Sequence, residues 1–113
     1  MSKRVLVVDD DLDIRELLAE LLEGEGYEVS SAENGQQALL QARGNHPDLI
    51  LLDLLMPVMN GWQFLEQQRI EPSISAVPVI VISAQENDLA VATCLLKPFD
   101  IEDLLAAVHQ HAA

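Results

Sequence analysis

Apolar residues recur along this chain in two rhythms. Continuous apolar runs occur at Val5 to Val8, at LILLD (49–53), at PVIVIS (78–83) and, more weakly, at ATCLL (92–96). Runs of that length without polar alternation are the pattern of strands buried on both faces, as in a parallel sheet. YEVSSA (27–32) reads as a further strand. Between these runs the spacing changes to three and four. Ile14, Leu17, Leu18, Leu21 and Leu22 form one amphipathic stripe, with Asp11 as N-cap and Gly24 or Gly26 as its stop. QQALLQAR (36–43), closed by Gly44 and Asn45, predicts a second helix, and GWQFLEQQR (61–69) a third, after a turn at Pro57, Asn60 and Gly61. DIEDLLAAV (100–108) predicts a last helix with Ile101, Leu104, Leu105 and Val108 on one face. Strands alternating with helices imply an α/β, doubly wound five-stranded parallel sheet, with residues 1–113 forming one domain.

Composition narrows what such a domain can do. At 113 residues, half hydrophobic and 22% charged, the chain is globular, with a core of useful size. A formal charge of −13 with six Lys plus Arg argues against a direct nucleic-acid partner or an anionic membrane, and favours cations and basic protein patches. A lone cysteine, Cys94, forms no internal disulfide. The N-terminal apolar run is too short for a signal peptide, and LILLDLLMPVM is too short and too interrupted to span a bilayer. Cytoplasmic residence is expected.

The stretch VLVVDDDLDI drives a buried strand straight into three aspartates. At a spacing of roughly 5 Å and an effective dielectric near 20, each pair of carboxylates repels by about 3 kcal/mol, so something must offset the charge. Ligands of open α/β sheets bind outside the carboxyl ends of the strands. There the first strand delivers Asp9 and Asp10, the third Asp53, the fourth Ser83 and the fifth Lys97. Two or three carboxylates in one crevice suit a hard divalent cation such as Mg²⁺. Mg²⁺ with Lys97 would neutralise the three acids. A carboxylate beside Mg²⁺, a lysine and a hydroxyl suits phosphoryl transfer, with Asp53 as nucleophile.

VLVVDDD, LLDLLMPVMNG, VIVISA and LKPF, in that order and each at a predicted strand end, resemble the signatures of response-regulator receiver domains across the whole chain. The resemblance implies a flavodoxin-like sheet of order 2-1-3-4-5, and transfer of a phosphoryl group from a phosphohistidine on a sensor histidine kinase or histidine phosphotransfer protein to Asp53, followed by slow hydrolysis. It implies Asp10 as a direct Mg²⁺ ligand and Asp9 as an acid acting largely through water. Leu55 would offer its backbone carbonyl, and Ser83 and Lys97 would hold the phosphoryl group. Pro98 would follow a cis peptide bond, and Leu55 and Gln85 occupy positions that tune hydrolysis.

Other readings compete. Asp11 and Asp13 read as a capped helix start. DDDLDIRELLAE nearly fits a calcium loop, but Ile14 stands where glycine is required. Asp9 and Asp11 mimic the DxD of haloacid-dehalogenase-type phosphatases, whose usual cap has no room in 113 residues. A receiver-like binding module without phosphoryl chemistry is the third class. His46, His109 and His111 read as solvated residues, and Trp62 as packing. The chain also departs from the family. Between Ser83 and Lys97 it is shorter by about seven or eight residues, roughly two helical turns, so a shortened or missing fourth helix is expected, with an irregular connection over 85–91. Val79, Val81 and Leu95 would then be left uncovered, favouring a homo-oligomer through that face. Cys94 stands where the family places a Tyr or Phe that swings inward. A stand-alone receiver, a relay intermediate and a fragment of a larger regulator all fit a chain ending at Ala113.

Overall fold

The computed structural model describes residues 3–83, 93–97 and 99–112. Five strands form one parallel sheet: β1 (Arg4–Val8), β2 (Glu28–Ala32), β3 (Leu49–Asp53), β4 (Val79–Ser83) and β5 (Thr93–Leu96). Their order is β2-β1-β3-β4-β5, the doubly wound arrangement expected from the sequence. The helices among the described residues are α1 (Leu12–Gly24), α2 (Gly35–Asn45), α3 (Gly61–Arg69) and α4 (Ile101–Ala112).

Strand pleating sends alternate side chains to opposite faces, and each face meets its own helices. Leu6, Val8, Ile50, Leu52, Val79 and Val81 pack with Ala38, Leu39 and Ala42 of α2 and Phe64 of α3. Val5, Val7, Leu49, Leu51, Ile80 and Ile82 pack with Leu18 and Leu22 of α1 and Leu104, Val108 and Ala112 of α4. The central strands are therefore apolar at every position because both faces are covered.

Several boundaries differ from expectation for identifiable reasons. α2 begins at Gly35 because the Asn34 side chain caps it, accepting from the Gln37 N–H, and it runs past Gly44 to end with His46 in the left-handed conformation (φ 46°). Tyr27 and Pro78 lie just outside β2 and β4. α4 extends to Ala112, and Ile101, expected on its buried face, is exposed, as is Leu17 of α1. Val79 and Val81 are buried by the α2–α3 layer, whereas Leu95 points to the opposite face, against the α1–α4 layer. Val79 and Val81 therefore expose almost no apolar area, whereas Leu95 stays partly exposed. The expectation for the connection over 85–91, together with Gln85 and Pro98, falls outside the described residues. His109 is not simply solvated: its Nδ1 lies 2.7 Å from the Tyr27 hydroxyl and its Nε2 3.3 Å from Glu25 Oε1.

Candidate phosphoryl-acceptor site

The carboxyl edge of the sheet gathers the predicted residues. β1 and β3 are neighbours in register, with Val8 opposite Leu52, so Asp9 and Asp53 emerge side by side. Asp9 is fully buried and held at four points. Its N–H donates to Ala32 O (3.1 Å) and its carbonyl accepts from Arg15 Nη1 (2.7 Å). Its carboxylate accepts from the Asp11 N–H (2.9 Å) and from Lys97 Nζ (2.9 Å). Asp11 also caps α1, as its sequence position suggested.

Asp53 is buried, with Lys97 Nζ 3.8 Å from its Oδ1. Burial raises its pKa and the neighbouring Asp9 charge raises it further, outweighing Lys97 and the backbone N–H groups of Leu55 and Leu54 that bond the carboxylate. Burial works against the Lys97 ammonium, yet the hydrogen bond and charge of Asp9, with the charges of Asp53 and Asp10, hold its pKa above the ordinary value. One lysine is thus shared by the acids, closest to Asp9 rather than Asp53. Ser83, buried at the end of β4, accepts the Lys97 N–H through its carbonyl at 2.6 Å, which ties the two ends together. Leu55 is exposed beside Asp53.

Asp9, Asp10 and Asp53 place one carboxylate oxygen each within 4.8 Å of one another. An all-oxygen set with one exposed member, Asp10, fits a hard cation that keeps several of its own waters.

The loop after Asp53 is tightly built. A Cβ on Gly61 would stand 2.6 Å from Asp53 O and 2.7 Å from Leu54 Cα, so only glycine lets α3 approach the acceptor strand this closely. Met59 N–H donates to Pro57 O across Val58, whose φ is +66°, a strained γ-turn for a β-branched residue. Asn60 caps α3 in a capping box with Gln63. The sequence reading missed Arg15, because an arginine in a first turn looks like an ordinary solvated charge. It treated Gly61 only as a turn signal.

Buried acids sharing one lysine at the carboxyl edge of a 2-1-3-4-5 sheet define a phospho-accepting signalling module. The chain belongs to the response regulator receiver domain family, whose model matches residues 5–109. It is 40% identical to the transcriptional regulatory protein CpxR homolog of Haemophilus influenzae, over 96% of this chain and 49% of that protein. It is 34% identical to sporulation initiation phosphotransferase F of Bacillus subtilis, over 98% of this chain and 94% of that protein. The solved chemotaxis protein CheY4 of Vibrio cholerae superimposes with a TM-score of 0.90 at 29% identity, covering 98% of this chain and 99% of that one. The chain spans about half the length of the CpxR homolog and of the DNA-binding response regulator MtrA from several mycobacteria. Its role is that of a phospho-accepting receiver in two-component signalling. Among the described residues no helix is long and apolar enough to cross a membrane.

Proposed function

We propose that Asp53 is the phospho-acceptor, with Asp9, Asp10 and the Leu55 carbonyl holding Mg²⁺ and with Ser83 and Lys97 binding the phosphoryl oxygens. The observation that carries this reading is the buried Asp53 carboxylate, oriented by the Leu54 and Leu55 N–H groups and within 3.8 Å of Lys97. Asp53 attacks phosphorus on a phosphohistidine; the O–P bond forms as the N–P bond breaks, and the imidazole leaves. Lys97 shifts from Asp9 toward the incoming phosphoryl group and neutralises its charge, while the Ser83 hydroxyl donates to it. Mg²⁺, when bound, supplies charge neutralisation and orientation. Hydrolysis later returns the carboxylate, and Leu55 offers no polar atom on its side chain to orient the attacking water. The chain catalyses only its own loading and unloading.

The donor is a sensor histidine kinase or histidine phosphotransfer protein in the cytoplasm. An apolar groove lined by Ile14, Leu17, Leu18, Leu21, Phe99 and Ile101 opens beside Lys97, so a donor seated there brings its phosphohistidine to Asp53. The formal charge of −13 opposes direct contact of these residues with nucleic acid. Acetyl phosphate with Mg²⁺ should add one acid-stable, base-labile phosphoryl group, located at Asp53 by mass spectrometry. Equal labelling of Asp53→Asn would remove the assignment, as would failure of a competent donor to label the native protein.

A further inference from the structure

We propose that Arg15 is a positioning residue for the metal site, acting on Asp10 through the peptide bond that joins Asp9 to Asp10. This rests on the reading of Asp9, Asp10 and Asp53 as the Mg²⁺-binding acids. Arg15 Nη1 donates to the Asp9 carbonyl oxygen at 2.7 Å in a partly buried contact. That oxygen belongs to the peptide plane whose other end is the Asp10 N–H, so the guanidinium fixes the rotation of the plane and with it the direction in which Asp10 leaves the strand.

The other contacts of Asp9 act elsewhere on the plane: its N–H to Ala32 O and its carboxylate to Lys97 hold residue 9 itself, and the Asp11 N–H closes an Asx turn over the same peptide, while Arg15 holds the carbonyl end from α1. Asp10 is the exposed member of the acid cluster, so its carboxylate is placed by the backbone that carries it. Arg15 reaches back from the first turn of α1 and converts helix position into ligand position. Arg15 is thus anchored on a helix packed, through Leu18 and Leu22, against Val5 and Val7 of the strand that ends at Asp9.

Charge and positioning predict opposite signs. If Arg15 acted only as a positive charge beside the acids, its removal would tighten Mg²⁺ binding by lowering repulsion with the cation. A lost positioning contact weakens it. Calorimetric titration of Mg²⁺ into the full chain should give Arg15→Met, which keeps the aliphatic stem but lacks a donor, a dissociation constant raised about three- to tenfold, the scale of one lost hydrogen bond. Arg15→Lys, which keeps a donor, should recover most of that loss, and Arg15→Ala should behave as Arg15→Met does. At saturating Mg²⁺ the rate of labelling by acetyl phosphate should return to the parent value, because Arg15 does not touch Asp53. Unchanged or tighter Mg²⁺ binding in a folded Arg15→Met protein would overturn the proposal, as would a labelling rate that stays low at saturating metal. If the parent protein itself binds no Mg²⁺, the site reading fails rather than the role of Arg15.

Discussion

The two edges of the sheet carry ion pairs of the same chemical kind and opposite worth. At the amino edge Arg4 meets Glu28 at 3.3 Å with both side chains more than half exposed (54% and 63%). At the carboxyl edge Lys97 meets Asp9 at 2.9 Å with the lysine a quarter exposed and the aspartate fully buried. Water screens the first pair and already solvates each partner, so little depends on it. The second pair lies where unpaired carboxylates are costly, and Lys97 is the cation that the described salt bridges pair with both buried acids, Asp9 and Asp53. A fold tolerates such an edge only when function requires it. The amino edge shows what the same sheet does when nothing is required: Arg4 spreads its contacts over Glu28, Asn45 and the Asp48 carboxylate, all near solvent.

The largest expected effect breaks that contrast directly. Lys97→Ala leaves Asp9 and Asp53 facing each other without a cation, and the metal-free protein should lose about 3 kcal/mol at low salt. Arg4→Ala should lose no more than about 1 kcal/mol. Urea unfolding of both variants in chelator measures the pair. Equal losses would show that the carboxyl edge is not the strained one.

Next in size is a contrast between two glycines. Gly61 abuts Asp53 O and Leu54 Cα, whereas a Cβ on Gly44, near the amino edge, meets nothing within 4 Å. Gly61→Ala should cost about 1 to 3 kcal/mol by overpacking, and should slow labelling of Asp53 because the peptide it displaces carries the acceptor. Gly44→Ala should gain about 0.5 kcal/mol from helix propensity and leave labelling alone. A Gly61→Ala protein that is labelled at the parent rate would detach the close approach from the chemistry.

How much of this was legible beforehand follows from the physics of each element. Continuous apolar runs announced β1, β3 and β4, because strands buried on both faces have no polar side to disguise them. Alternating topology then placed Asp9, Asp10, Asp53, Ser83 and Lys97 at one edge. Helix ends were less legible. Apolar periodicity passes over Asn34 and Asn60, whose caps are marked instead by a glutamine three residues on (Gln37 and Gln63), and His46 takes a left-handed position where glycine is usual. The exposure of Leu17 and Ile101 was illegible because periodicity marks an apolar stripe without saying which part of it is covered. They line the groove beside Lys97 instead. Arg15 was illegible for the converse reason: a charged residue on a helix carries no mark of which backbone atom it will reach.

The smallest expected effect, and the one that most sharpens the comparison, concerns pH. Burial and the charge of Asp9 raise the Asp53 pKa above the ordinary carboxylate value, so the folded protein holds that proton more tightly than the unfolded chain does. Between the ordinary value near 3.9 and the raised one the native state binds more protons, and stability falls as pH rises. The contribution of Asp53 is therefore present in acid and lost as pH rises through the raised value, opposite in sign to an ordinary salt-bridged aspartate. Lys97 does not disturb this window: its pKa is also raised, so its contribution is intact throughout and is lost only at alkaline pH. Asp53→Asn removes the titrating group and one of the three charges. The metal-free variant should be more stable than the parent at neutral pH by about 1 kcal/mol, and its urea midpoint should lack the parent's decline as pH rises above the ordinary carboxylate value. Mg²⁺ favours the ionised site and stabilises the parent by mass action, so saturating metal should narrow or reverse the order of the two proteins. A metal-free parent as stable at neutral pH as Asp53→Asn, or one whose stability rises with pH where the variant's does not, would mean that Asp53 sits comfortably ionised and that the carboxyl edge stores no repulsion for a cation to relieve.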